Sequence, residues 1–169
     1  MLKQRMYSFV IYQLSGRQAG IQAGHATQEF SNMLGNSPEF KQWAYNDKTV
    51  VILNGGTTND IGFDPYSKLP YKGSMQVIIE NLDKNKIAYS TFQEPDLNNC
   101  TSAISLLVDE RVWDWENYPD LSRELIYPLS ASEPRKRNAE ELFEEYKKLY
   151  GSKIAFLKTY LPTFNLANN

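Results

Sequence analysis

The chain has 169 residues, a length suited to one ordinary core, and its 41% hydrophobic and 22% charged residues exclude disordered and collagen-like classes and point to a soluble fold. One cysteine, Cys100, and one histidine, His25, exclude an intrachain disulfide, a Cys/His zinc site, a Cys-x-x-Cys redox pair and a His-rich metal site. Eighteen basic against twenty acidic residues give a net charge of −2, which excludes a protein that grips nucleic acid by overall charge alone.

The first apolar run, Tyr7 to Tyr12, is too short for a secretory leader, and no run approaches a membrane span, so a cytoplasmic protein is expected. Tyr7 to Leu14 is β-prone around Val10 and Ile11 and predicts a buried first strand ending at Ser15-Gly16. Ala19, Ala23, Ala26, Phe30 and Met33 then form one helical stripe, opened by Ser15 and Gln18 as a capping box and closed by Gly35. Gly16, Gly20 and Gly24 lie four apart on that helix, where each glycine costs up to about 1 kcal/mol relative to alanine. Close approach of the helix backbone to a sheet or a ligand would compensate, because a missing side chain lets two surfaces meet.

Lys48 to Leu53 predicts a second strand ended by Asn54-Gly55-Gly56, and the aperiodic stretch Thr57 to Gly73 is long enough to suggest a functional loop. Ser74 is expected to cap a helix whose stripe is Met75, Ile78, Ile79 and Leu82. Ile87 to Phe92 and Thr101 to Val108 predict two further strands, separated by the polar loop Gln93 to Asn99. This order implies an α/β fold, a four-stranded mixed β-sheet flanked by helices, over residues 1–110. Residues 111–169 differ in texture: an aromatic-rich connector with Trp113 and Trp115, expected to cover the core, precedes a helix capped by Asn138 and Glu141 and a last helix over Lys153 to Tyr160. These form a helical extension expected to pack on the core. Residues 1–110 hold 9 basic and 11 acidic residues and residues 111–169 hold 9 of each, so neither part is a charged tail. Arg135-Lys136-Arg137 and Lys147-Lys148 read as a solvated face or, less readily, as a patch for a partner.

Two constellations carry chemistry. Gln18, Gln22, His25 and Glu29 are spaced to share one face of the first helix, a row that a solvated helix surface explains equally well. Glu94-Pro95-Asp96-Leu97-Asn98-Asn99-Cys100-Thr101 packs carboxylates, carboxamides and a hydroxyl between two strands, where an ordinary polar turn uses the same residues. Should the two meet at one end of the sheet, His25, Gln22, Glu94, Asn98, Asn99 and Thr101 would supply an acid/base pair and neutral hydrogen-bond partners, without a serine or cysteine nucleophile. The glycine spacing is neither a dinucleotide fingerprint nor a P-loop, and Cys100 reads as a small buried residue.

Gly16-Arg-Gln-Ala-Gly-Ile-Gln-Ala-Gly-His-Ala26, following a first strand, resembles the helix start of the archaeal and eukaryotic type of peptidyl-tRNA hydrolase, with Gln22, His25 and Ala26 on that family's Gln, His and Ala. Tyr89 to Ala103 resembles its second motif, with Glu94 in place of the family's aspartate and Asn98, Asn99 and Thr101 near its Thr, Gln and Thr. The resemblance spans roughly residues 6 to 109 and is nearest to divergent members encoded by bacteriophages. Gln18 stands where the family has lysine, Arg17 is one position away, and residues 110–169 have no counterpart in the minimal fold.

The resemblance implies hydrolysis of the ester joining a peptide to tRNA, without metal or cofactor. Gln22, His25 and Glu94 would be catalytic, and Arg17, Gln18, Asp96, Asn98, Asn99 and Thr101 would bind substrate. The alternative is a non-catalytic phage protein that holds a small nucleotide or host signal in the same cleft, under a Thr57 to Gly73 lid. The partners implied are tRNA or a nucleotide, and a second copy or a host protein through the C-terminal helices, with no membrane.

Overall fold

The computed structural model describes residues 1–58, 65–69, 71–127 and 134–167. The chain divides into two compact units, one of residues 1–108 joined by the segment from Phe164 onward, the other Asp109–Thr163.

The first unit is an α/β layer around a four-stranded mixed sheet in the order β2-β1-β4-β3. Strand β1 (Gln4–Ile11) sits inside the sheet, parallel to β2 (Thr49–Gly56), in register from Arg5 opposite Thr49 to Val10 opposite Asn54. It starts three residues earlier and ends three earlier than the sequence predicts. The Gln4 amide donates to the Asp47 carboxylate at 2.7 Å, extending the ordered start, and Gln13 takes a left-handed φ of 67° that turns the chain before Ser15.

Helix α1 (Gly16–Leu34) opens with the expected capping box and ends at Gly35. Ala19, Ala23 and Ala26 pack with Val10 and Ala103, while Phe30 joins Met6 and Phe40, so α1 covers the sheet face that carries Met6 and Val10. Close approach to the sheet therefore falls to the alanines. A Cβ at Gly20 or Gly24 would meet nothing within 4 Å, which corrects the expectation that these glycines press on the sheet. They border an open groove of about 470 Å³, together with Phe40, Trp43, Val50 and Ile52.

Helix α2 (Pro38–Gln42), an addition to the elements expected, is capped by Ser37 and widens over Trp43–Asp47 into a π turn that Lys48 ends with φ 53°. Close packing on the opposite sheet face occurs at Gly55, where a Cβ would lie 2.3 Å from Met75 Sδ and 3.2 Å from Phe9 Cβ. Met75 belongs to α3 (Ser74–Lys84), whose stripe Met75, Ile78 and Leu82 is buried. The expected Ser74 cap is replaced by Gly73, because the Ser74 hydroxyl accepts instead from the Thr57 amide at 2.9 Å.

Strand β3 (Ser90–Glu94) runs antiparallel to β4 (Cys100–Asp109); β3 takes in Gln93 and Glu94, which the sequence assigns to the loop, and β4 extends the expected Thr101 to Val108 by one residue at each end. The sheet is closed on the β2 side by the chain's last described residues. Leu166 bridges Leu53, the Asn54 and Ala167 amides donate to Asn165 and Ile52 carbonyls at 2.9 Å, and Phe164 meets Phe9 edge-on at 4.7 Å.

The second unit holds α4 (Glu110–Trp113), a short pair β5 (Leu125–Ile126) and β6 (Arg135–Lys136), α5 (Ala139–Tyr150) with the expected Asn138–Glu141 capping box, and α6 (Ser152–Tyr160). Arg135 and Arg137 pair with Glu141 and Glu124, and Lys147 and Lys148 with Glu144 and Glu145 one turn back, as on a solvated face. Its interior contains a buried cation. Lys158 Nζ lies 4.0 Å from the Trp115 ring centre, 5.1 Å from that of Tyr146 and 5.4 Å from that of Tyr150. Trp115 thus shields an ammonium group within this unit.

Candidate functional site

The site is built where α1 crosses β3 and the start of β4. The Ser90 hydroxyl donates to the Ala26 carbonyl at 2.6 Å and ties the helix to the edge strand. Pairing of β3 with β4 is regular from Ser90 opposite Ser105 to Phe92 opposite Ala103, then skips to Gln93 opposite Thr101. Ser102 is the extra residue of this β-bulge, a device that re-aims a side chain at the cost of one ladder position.

Beyond the bulge, Glu94 pairs with Cys100, so it stands at the end of the edge strand, supported on its β4 side. Pro95–Leu97 make a single 3-10 turn, and Asn98 and Asn99 return the chain with φ of 53° and 58°. Asparagine is suited to that left-handed conformation, and the Asn99 amide closes the loop on the Glu94 carbonyl at 3.0 Å. The loop is thereby a tight connector that presents Asp96, Asn98 and Asn99 to solvent.

The two constellations meet through Gln22. Its Nε2 donates to Glu94 Oε2 at 2.5 Å, and the Ser102 hydroxyl donates to its Oε1. His25, one turn further along α1, is exposed and lies flat on Phe92, with ring centres 4.4 Å apart and planes at 21°. Among the described residues it is held by this stacking, with no hydrogen bond to the imidazole. Thr101 is drawn in by its backbone: its carbonyl accepts from the Thr58 hydroxyl, which anchors the start of the Thr57 to Gly73 segment beside the site. Residues 59–64 and 70 of that segment, where the lid was expected, lie outside the described residues.

Two predicted binding residues sit apart from this cluster. Gln18 is occupied in the cap, its Oε1 accepting from the Ser15 amide at 3.0 Å and the Ser15 hydroxyl at 2.9 Å. Arg17 is exposed in the first turn of α1. Ser102 is the residue that sequence reasoning missed. A serine inside a run of small and apolar residues carries no signal of its own, and only the bulge turns it toward Gln22.

The arrangement offers a carboxylate held by an amide, an accessible imidazole and a second amide proton on Gln22 for a polar ligand. Among the described residues, no three His, Cys, Asp or Glu side chains converge as metal ligands would, and no helix is long and apolar enough to cross a membrane. Compared with protein-family models and with curated proteins, the chain matches none.

Proposed function

We propose that this chain is a peptidyl-tRNA hydrolase of the archaeal and eukaryotic type, which cleaves the ester between a peptide and the terminal ribose of tRNA in the cytoplasm. The observation that carries the reading is the 2.5 Å bond from Gln22 to Glu94. It joins residues 72 positions apart that come from the two motifs the family resemblance rests on. The α/β core with its four-stranded mixed sheet accords with the same reading.

In this mechanism Glu94 takes a proton from water as the water oxygen attacks the ester carbonyl carbon. The remaining Gln22 amide proton and the His25 imidazole donate to the carbonyl oxygen as charge develops there. Collapse of the tetrahedral species breaks the bond to the ribose oxygen, which receives the proton that Glu94 acquired. Arg17 supplies a cation for a tRNA phosphate, and Asn98 and Asn99 offer polar contacts to the ribose. No metal or cofactor takes part in these steps.

Single-turnover cleavage of peptidyl-tRNA tests the assignment. The wild-type chain is expected to cleave, Glu94→Gln to lose roughly 10²–10⁴-fold in rate, and His25→Ala to lose at least about tenfold. No cleavage above background, or cleavage that both variants leave unchanged, refutes it.

A further inference from the structure

Ser102 has the features of a group held in place for a purpose. It is 1% exposed, sits at the bulge of β4, and its hydroxyl has one proton to give. Two acceptors compete for that proton: Gln22 Oε1, at short range, and the Phe92 carbonyl at 3.4 Å, which is too far for a good O–H bond. The proton goes to Gln22.

This settles which way the Gln22 amide points. An ionised carboxylate only accepts, so Glu94 requires Nε2 on its side, and Oε1 is then directed at β4, where a donor must meet it. Without the Ser102 hydroxyl, Oε1 would face a buried position with no partner, and the amide would turn toward water to regain one. Nε2 would leave Glu94 in the same movement, freeing the carboxylate to rotate.

We propose that Ser102 is a positioning residue for the hydrolytic site, acting on Glu94 through Gln22. The inference rests on the peptidyl-tRNA hydrolase reading given above. The bulge is its structural means, since removing the extra residue would reverse the side-chain alternation at this end of β4 and turn the hydroxyl away.

The test is single-turnover cleavage of peptidyl-tRNA by the full chain, comparing wild type, Ser102→Ala, Ser102→Thr, Gln22→Ala and the Ser102→Ala/Gln22→Ala double variant, each checked for folding by circular dichroism and melting. Ser102→Ala is expected to lower the maximal rate about tenfold with half-saturation within twofold, and Ser102→Thr, which keeps the hydroxyl, to restore most of the rate. In the Gln22→Ala background the same alanine substitution is expected to cost nothing further, because its route to Glu94 is already gone. Should Ser102→Ala not fold, Ser102→Cys, which keeps the volume with a weaker donor, takes its place in the cycle with the same expectation. Failure of the wild-type chain to cleave overturns the hydrolase reading and the role of Ser102 with it. Cleavage by the wild type together with a fully active Ser102→Ala variant (or Ser102→Cys where that takes its place), or a tenfold loss that persists in the Gln22→Ala background, overturns the role of Ser102 alone.

Discussion

Replacing Lys158 with methionine is expected to remove a pH dependence of stability that the wild-type chain carries. The lysine is 2% exposed, its ammonium rests among Trp115, Tyr146 and Tyr150, and it donates to the Tyr118 carbonyl at 3.3 Å. Burial pulls its pKa down from 10.5 to about 8, against the opposing pull of Asp120, Asp109 and Asp114. A fall of that size corresponds to about 3 kcal/mol against the charged form. The group is a base whose folded pKa is depressed, so between about pH 8 and 10.5 the unfolded chain binds more protons and stability rises with pH. The benefit is complete above the unfolded pKa and is lost as the pH falls through 8. Methionine matches the stem of lysine without its charge, and replacing a buried charge by an apolar group of similar volume is commonly neutral or stabilising near neutral pH. Chemical denaturation of both proteins at intervals from pH 7 to 10.5 checks this. The stability of wild type relative to Lys158→Met is expected to rise by about 3 kcal/mol across the window, while ionisation of tyrosines common to both proteins cancels in the difference. A difference that stays constant would refute the picture of a lysine held at the cost of its charge.

Gly20→Ala and Gly24→Ala are each expected to raise stability by about 0.5–1 kcal/mol, because both lie in a helix and a Cβ would meet nothing within 4 Å; thermal melting that shows a loss would mean the groove is filled in solution. The buried Ser8 and Ser105 hydroxyls share a hydrogen bond of 2.7 Å, so Ser8→Ala is expected to cost about 1–3 kcal/mol and the double alanine variant little more, measured as a double-mutant cycle in urea. Phe164→Ala is expected to cost about 2 kcal/mol by urea denaturation, since the segment from Phe164 completes the first unit against Phe9 and β2.

The elements of this protein were largely legible in its sequence because they depend on local chemistry. The Ser15–Gln18 and Asn138–Glu141 capping boxes are satisfied within four residues, and the stripe expected on the first helix is buried from Ala19 through Phe30, though its last member, Met33, is exposed. The mixed sheet follows from the order of strands and helices. Errors gathered where a partner distant in sequence decides the outcome. Strand β1 shifted because Asp47 and β2 set its register, and Ser74 lost its capping role because Thr57 claimed the hydroxyl.

The candidate site divides in the same way. Gln22, His25 and Glu94 are recognisable from spacing and residue type, since a helix face and a Pro-restrained strand end are local features. That Gln22 reaches Glu94, that Gln18 turns back to the cap, and that Ser102 meets Gln22 depend on a β-bulge and on the crossing of a helix over a sheet edge. Composition likewise established a single histidine and no charge excess, yet it could not reveal the buried ammonium of Lys158, because a lysine in an apolar helix reads the same whether water or three aromatic rings surround it. Local propensities act through neighbours along the chain, whereas the contacts that make a site act between residues that only folding brings together.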